Sequence, residues 1–374
     1  MKKIVSLIAL MIMGAFAEAQ NNDGKAIRLV IGTYGGHLYG YSFDTGTAVF
    51  TEEGRVEALN PSYAIAEDGN IFAVSETGAD SGVYSFIGMQ SDGDGGIMTF
   101  HLRQTGADPC YIMLHRTDAG RQYVMTADYS GGSVSVFPVI DGRVKDRIGQ
   151  MHFEGKGPVA GRQEASHIHQ IKEVPHHKGY ILASDLGADL IRLIKVQEGQ
   201  DGPAMEHIYD VHCPSGSGPR HLEFSHEGNI LYCITELSGE VLKYDVTSEG
   251  GVPGFRLSQR IQADEVNAGG SADIHIHPSG KWLYTSHRLD NDGIAIFSIK
   301  EDGTLVKTGY ARCASHPRNF LITPDGKFLL VACLNDRLIQ TFRIGNDGSL
   351  TLTPSILRFE SDRPSSITIA SYLK

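Results

Sequence analysis

Apolar and polar residues alternate along this chain in short runs, and glycine-bearing turns interrupt them before a helical period can establish itself. One phrase recurs: an apolar run, a turn with Gly, and a second apolar run ending in a polar or charged residue. It occupies residues 62–76 and returns at 110–128, 167–185, 219–236, 272–288 and 317–335. The turn glycines Gly69, Gly120, Gly179, Gly228, Gly280 and Gly326 stand 46 to 59 residues apart, the length of a four-stranded propeller blade. Each unit also holds a further hairpin, as in residues 293–310 around Asp302-Gly303 and residues 338–350 around Asp347-Gly348.

Six whole units are visible, and the chain ends supply a seventh. Residues 363–370 read as the first strand of a blade and then stop, while residues 28–34, 38–43 and 48–56 read as the other three. Joining them closes the ring and leaves no unpaired sheet edge. The pattern therefore predicts an all-β fold: a seven-bladed β-propeller of four-stranded antiparallel blades, closed by the C-terminal strand completing the N-terminal blade. Residues 20–374 read as one domain, with surface loops at 89–96, 155–161 and 264–271.

Composition narrows the setting. Lys2 and Lys3, an apolar run over residues 4–16 and the small-residue site Ala17-Glu18-Ala19 read as a cleaved signal peptide over residues 1–19, predicting a periplasmic or secreted protein. The run is short for a bilayer span, and no Cys follows the small residues to take a lipid, so no membrane anchor is expected. The formal net charge of −11 becomes more negative by one when residues 1–19 leave, which argues against nucleic acid as a partner. The five cysteines, at 110, 213, 233, 313 and 333, form no Cys-x-x-Cys motif and read as free thiols. The 213/233 and 313/333 pairs nevertheless share one separation and similar places in the repeat, so their redox state stays open. Nothing in the sequence sets an oligomeric state.

In a propeller the first strands line the central channel, and residues at their starts gather at one mouth with those that follow the second strands. Four units carry an unusual set there: His167 and His169, then Gly218-Pro219-Arg220-His221, then Asp273 and His275, then His316-Pro317-Arg318-Asn319. The second strands add Glu76, Asp128, Asp185, Glu236 and Arg288. Alternation puts the two histidines of 167/169 on one side, and likewise 275/277. No carboxylate stands at a matching short offset, so both pairs read as structural, with no metal and no cofactor expected. Arg220, Arg288 and Arg318 predict a cationic mouth on an acidic protein, suited to an anionic small molecule or a developing oxyanion. Each arginine is also suited to tying neighbouring blades together. Glu236 and His169 each read as either a general base or a partner of these groups. No Gly-x-Ser-x-Gly elbow supports a serine nucleophile.

These residues, with Asn60-Pro61-Ser62-Tyr63, Gly131-Gly132-Ser133-Val134-Ser135-Val136-Phe137, Thr235-Glu236-Leu237-Ser238, Ala272-Asp273-Ile274-His275 and Pro317-Arg318-Asn319-Phe320, resemble the lactonase-type seven-bladed propellers. That family includes bacterial 6-phosphogluconolactonase and fungal carboxy-muconate lactonizing enzyme, and the resemblance spans the mature chain. It implies a catalytic quartet of His169, Arg220, Glu236 and Arg288. His167, His221, Asp273, His275 and Arg318 stand around it as substrate-binding candidates. Thr235 and His287 replace an Asn usual in the family, departures that bear on substrate choice. The implied activity is hydrolysis of an anionic sugar lactone by water, with arginines on the anionic group and the oxyanion. A muconate-type lactonizing isomerase and a non-catalytic carbohydrate- or protein-binding propeller are the alternatives. Export favours an unphosphorylated or extracellular lactone, because the 6-phosphate is a cytoplasmic metabolite.

Overall fold

The computed structural model describes residues 26–87, 99–199 and 202–370. The signal segment and the loop at 89–96 lie outside these residues. Seven antiparallel sheets follow one another around an axis. Blade 1 is the composite one: Arg363–Ile369 is its innermost strand, followed outward by Ala26–Tyr34, His37–Asp44 and Val49–Glu57. The remaining blades run in chain order, their innermost strands being Ala64–Glu67, Pro109–Arg116, Ile168–Glu173, Pro219–Phe224, Ser271–Ile276 and Pro317–Ile322 in blades 2 to 7. In blade 3 the outermost strand is split into Arg143–Val144 and Gly149–His152, both paired to Ser133–Ile140. The innermost strands touch their neighbours all the way around, which closes the ring as the repeat predicts.

Among the described residues, seven apolar clusters hold this ring, one at each blade junction. Between blades 4 and 5, for example, Leu182, Leu193, Leu231 and Leu242 are wholly buried, and burying each such side chain is worth about 2 kcal/mol. Cys213 and Cys233 meet in this same cluster, and Cys313 and Cys333 in its counterpart between blades 6 and 7. All five cysteines are free thiols.

Two backbone devices recur at the mouth. The residue before the opening proline has positive φ in four blades: Asn60 (43°), Asp108 (51°), Gly218 (62°) and His316 (64°). Glycine adopts this conformation without strain, and Asn, Asp and His tolerate it better than most residues. Second, pairing of the first strand to the second skips at one place in six blades: at Cys110, His169, Arg220, Arg318 and Ser365, and across Ala272-Asp273. A bulge leaves its extra residue out of the ladder and re-aims that side chain. Five of these bulged residues, Cys110, His169, Arg220, Arg318 and Ser365, turn into one axial cavity.

Candidate active site

The cavity lies beneath the mouth and is lined by Ser62, Tyr63, Cys110, His169, Arg220, His221, Arg318, Asn319 and Ser365. Its volume is about 10 Å³, room for roughly one water molecule. Two buried polar atoms of its lining residues, His169 Nδ1 and Ser62 Oγ, have no hydrogen-bond partner among the described residues, which is uncommon for buried polar groups unless something binds there.

Arg220 enters from the bulge of blade 5. Its Nε donates to Glu236 Oε2 at 2.8 Å and its Nη1 to the Ala272 carbonyl at 2.6 Å. Gly218 places both partners, since its positive φ starts the strand and its carbonyl accepts the Glu236 N–H at 2.7 Å. Arg288, directly after the second strand of blade 6, brings Nη2 to 3.2 Å from the same Oε2 and donates Nε to Gly270. Its Nη1 reaches His316 Nε2, the histidine in the left-handed conformation. Glu236 Oε1 accepts from a third guanidinium, Arg162 Nη2, at 2.5 Å. Burial alone pushes the Glu236 carboxyl up, but Arg288, Arg220 and Arg162 overcome it and hold the group at about 2. Three guanidinium groups against one carboxylate leave this cluster cationic.

His169 faces Arg220 across the cavity. Burial first, then Arg220, His221, Arg318 and Arg288, push its pKa well below the usual histidine value, so the ring is neutral at neutral pH. Its ring packs edge-on against His221 at 5.2 Å and Tyr129 at 5.7 Å. His167 stacks on the face of Tyr129 at 4.4 Å, so both histidines meet one aromatic ring.

Arg318 completes the wall. It donates to the Tyr34 hydroxyl at 2.8 Å, which in turn donates to Glu76 at 2.6 Å. Unlike the other three arginines, its guanidinium forms no direct ion pair among the described residues, and Glu76 acts on it across the Tyr34 hydroxyl.

A second group of candidates stands behind this wall. Arg220 Nη1 can only donate, so His221 Nε2 accepts from it at 3.3 Å, and His221 Nδ1–H donates to Asp273 Oδ1 at 2.7 Å. Burial and Arg220 push His221 down to about 4 against the pull of Asp273. Asp273 Oδ2 also meets His275 Nε2 at 3.1 Å and Asn319 Nδ2 at 2.5 Å. Asp273 thus knits blades 5, 6 and 7, and neither it nor His275 lines the cavity. His275 and His277 both face blade 7: His275 packs edge-on against Phe320, and His277, just past the strand end at Ile276, bonds the Gly326 carbonyl.

The sequence grouped five acidic or basic residues after the second strands, and the register divides them. Asp128 pairs with Pro109, Asp185 with Ile168, Thr235 with Pro219 and His287 with Ser271, so these four are equivalent positions. All four side chains serve their own blade. Asp128 binds Thr126, Ser133 and Ser135, and Asp185 binds Ser166 and Arg192. Thr235 binds Ser238 and Glu240, and His287 binds Ser271 and Thr285. Thr235 and His287 therefore tie strands together, and their difference from Asn reaches a ligand only indirectly. In three of the four blades the next residue faces the mouth, as Tyr129, Glu236 and Arg288, while in blade 4 it is the buried Leu186. Tyr129 was missed for this reason, and aligning Asp128 with Thr235 finds it. Arg162 had no such signal, because it directly follows the irregular loop at 155–161. Gln163 turns that end inward, donating Nε2 to the Leu186 carbonyl and to Asp189.

Among the described residues no three His, Cys, Asp or Glu side chains converge to hold a metal ion, and no helix is long and apolar enough to cross a membrane.

Residues 28–368 match the family described as "Lactonase, 7-bladed beta-propeller". The 6-phosphogluconolactonase of Bacillus subtilis (strain 168) is 31% identical over 342 residues, covering 87% of this chain and 93% of that one. The 6-phosphogluconolactonase of Formosa agariphila is 32% identical over 320 residues, covering 80% and 88%. The crystal structure of a Bacteroides fragilis NCTC 9343 protein, proposed to be a 6-phosphogluconolactonase, superposes with a TM-score of 0.85 at 34% identity, covering 94% of this chain and 99% of that one. With the propeller closed and the matched region spanning all seven blades, the chain belongs to the lactonase family of seven-bladed β-propellers.

Proposed function

We propose that this propeller is a carboxylic ester hydrolase that opens a sugar lactone, with His169 as general base. The observation that carries the reading is the buried, unpartnered Nδ1 of a neutral histidine in a cavity walled by Arg220 and Arg318. The relatives named as 6-phosphogluconolactonases support the substrate class.

Water held at His169 Nδ1 gives up its proton to the ring nitrogen as its oxygen bonds the lactone carbonyl carbon. The carbonyl oxygen becomes an oxyanion, and fixed guanidinium groups stabilise it without having to reorganise. Collapse breaks the bond to the ring oxygen, which takes the proton back from His169. Glu236 suits another role. Held at about 2 with both oxygens occupied by arginines, it is a weak base, and it fixes Arg220 and Arg288 in place.

The signal-like residues 1–19 support export, so the lactone is one met outside the cytoplasm. A pH-stat assay on glucono-1,5-lactone, its 6-phosphate and galactonolactone tests the hydrolase. Turnover of at least one is expected, and loss of muconate absorbance without any lactone turnover would replace the reading with the isomerase.

A further inference from the structure

Arg162 differs from the other two arginines on Glu236. Its side chain is 37% exposed, against 2% for Arg220 and 7% for Arg288. It also has Oε1 to itself, while Arg220 and Arg288 share Oε2. Withdrawing Arg162 therefore leaves the buried Arg220–Glu236–Arg288 contacts standing. Its backbone is anchored: the Arg162 N–H donates to the Val159 carbonyl, and the next residue, Gln163, is buried and bonded to blade 4. A rigid loop end thus presents a long cationic side chain beside Tyr129, over a cluster that already has more guanidinium than carboxylate.

Positive charge in excess of what Glu236 neutralises has a use if the ligand brings an anion. The two buried arginines are fixed by carbonyls and by Glu236, whereas Arg162, bonded to Glu236 and Tyr129 but partly exposed, is the one that a ligand group reaches from the open end. We infer that Arg162 is a specificity-determining residue that binds an anionic substituent, phosphate or carboxylate, carried by the lactone away from its reacting ester. This inference rests on the lactone-hydrolase reading. The planar fork of Arg162 suits either anion in a bidentate pair, and binding that is equal in the ground and transition states appears in KM.

The test compares wild type, Arg162→Gln and Arg162→Lys on three substrates: neutral glucono-1,5-lactone, its 6-phosphate, and a glucaro-lactone bearing a free carboxylate. For the anionic substrate that the wild type prefers, Arg162→Gln raises KM roughly 10- to 100-fold, the range of a hydrogen bond to a charged group. Its effect on the neutral lactone is much smaller, and Arg162→Lys recovers part of the affinity. Which anionic arm responds identifies phosphate or carboxylate. Equal losses on all three substrates, or a loss confined to kcat, would overturn the inference and leave Arg162 as a support for Glu236. If wild type opens none of the three, the hydrolase reading itself fails.

Discussion

Replacing Glu236 with Gln separates two roles that one carboxylate can play. If Glu236 holds arginines in place, its charge matters to the fold as well as to the reaction. Its carboxyl moves from 4.5 to about 2 in the native protein, which at 1.36 kcal/mol per pKa unit makes the charged form worth about 3 kcal/mol. Glu236 is 7% exposed, so solvent screens little of this. Unfolding entropy of roughly 2.1 cal/mol/K per residue over about 350 residues gives about 0.7 kcal/mol/K, so Glu236→Gln lowers Tm by about 4 °C at pH 7. The pH dependence has a definite sign. A carboxyl depressed in the folded state contributes fully above its unfolded value and loses the contribution as pH falls through its folded one. The Tm gap between wild type and variant is therefore constant above about pH 5 and narrows between about 4.5 and 2. Scanning calorimetry across that range checks it. A variant within 1 °C of wild type at pH 7, or a gap that widens in acid, refutes the clamp argument. In the pH-stat, the variant keeps the acid limb of the wild-type rate profile and loses rate without losing its base.

The base itself is tested by His169→Gln, which is expected to lower kcat by about 10²- to 10⁴-fold; a loss under threefold would reassign the role. Because His169 is pushed well below the usual histidine value, the acid limb of wild-type kcat/KM falls well below pH 6.5. Arg318→Met removes one of the charges that depress His169 and moves that limb upward; an unmoved limb would mean that Arg318 does not act on the base. Asp273→Asn disrupts the contacts to His221, His275 and Asn319, which span blades 5, 6 and 7. It is expected to cost roughly 3–5 kcal/mol, seen as a Tm lower by about 4–7 °C in the same calorimetry.

The ring was legible because its two signals are local. Turn glycines mark each unit, and period-two alternation marks the strands between them, so even the split blade could be joined from residues at opposite ends of the chain. Facing at the mouth was not legible in the same way, because it depends on pairing. A one-residue difference in register carries a side chain from the blade interior to the axis. That is the whole distinction between Asp128 and Tyr129, or between Thr235 and Glu236. The bulges act likewise. They take His169, Arg220 and Arg318 out of the alternation that the rest of each strand obeys, and those three residues carry the charge and the free nitrogen of the cavity. The resemblance to the lactonases supplied the quartet by motif where alternation could not. Arg162 escaped both kinds of reading, because a loop has no period and its role depends on a carboxylate 74 positions along the chain. Regular pairing therefore builds the scaffold, and the site is assembled where that pairing is interrupted. A substitution that restored a regular ladder at a bulge would stabilise a strand while turning a functional side chain away from the axis.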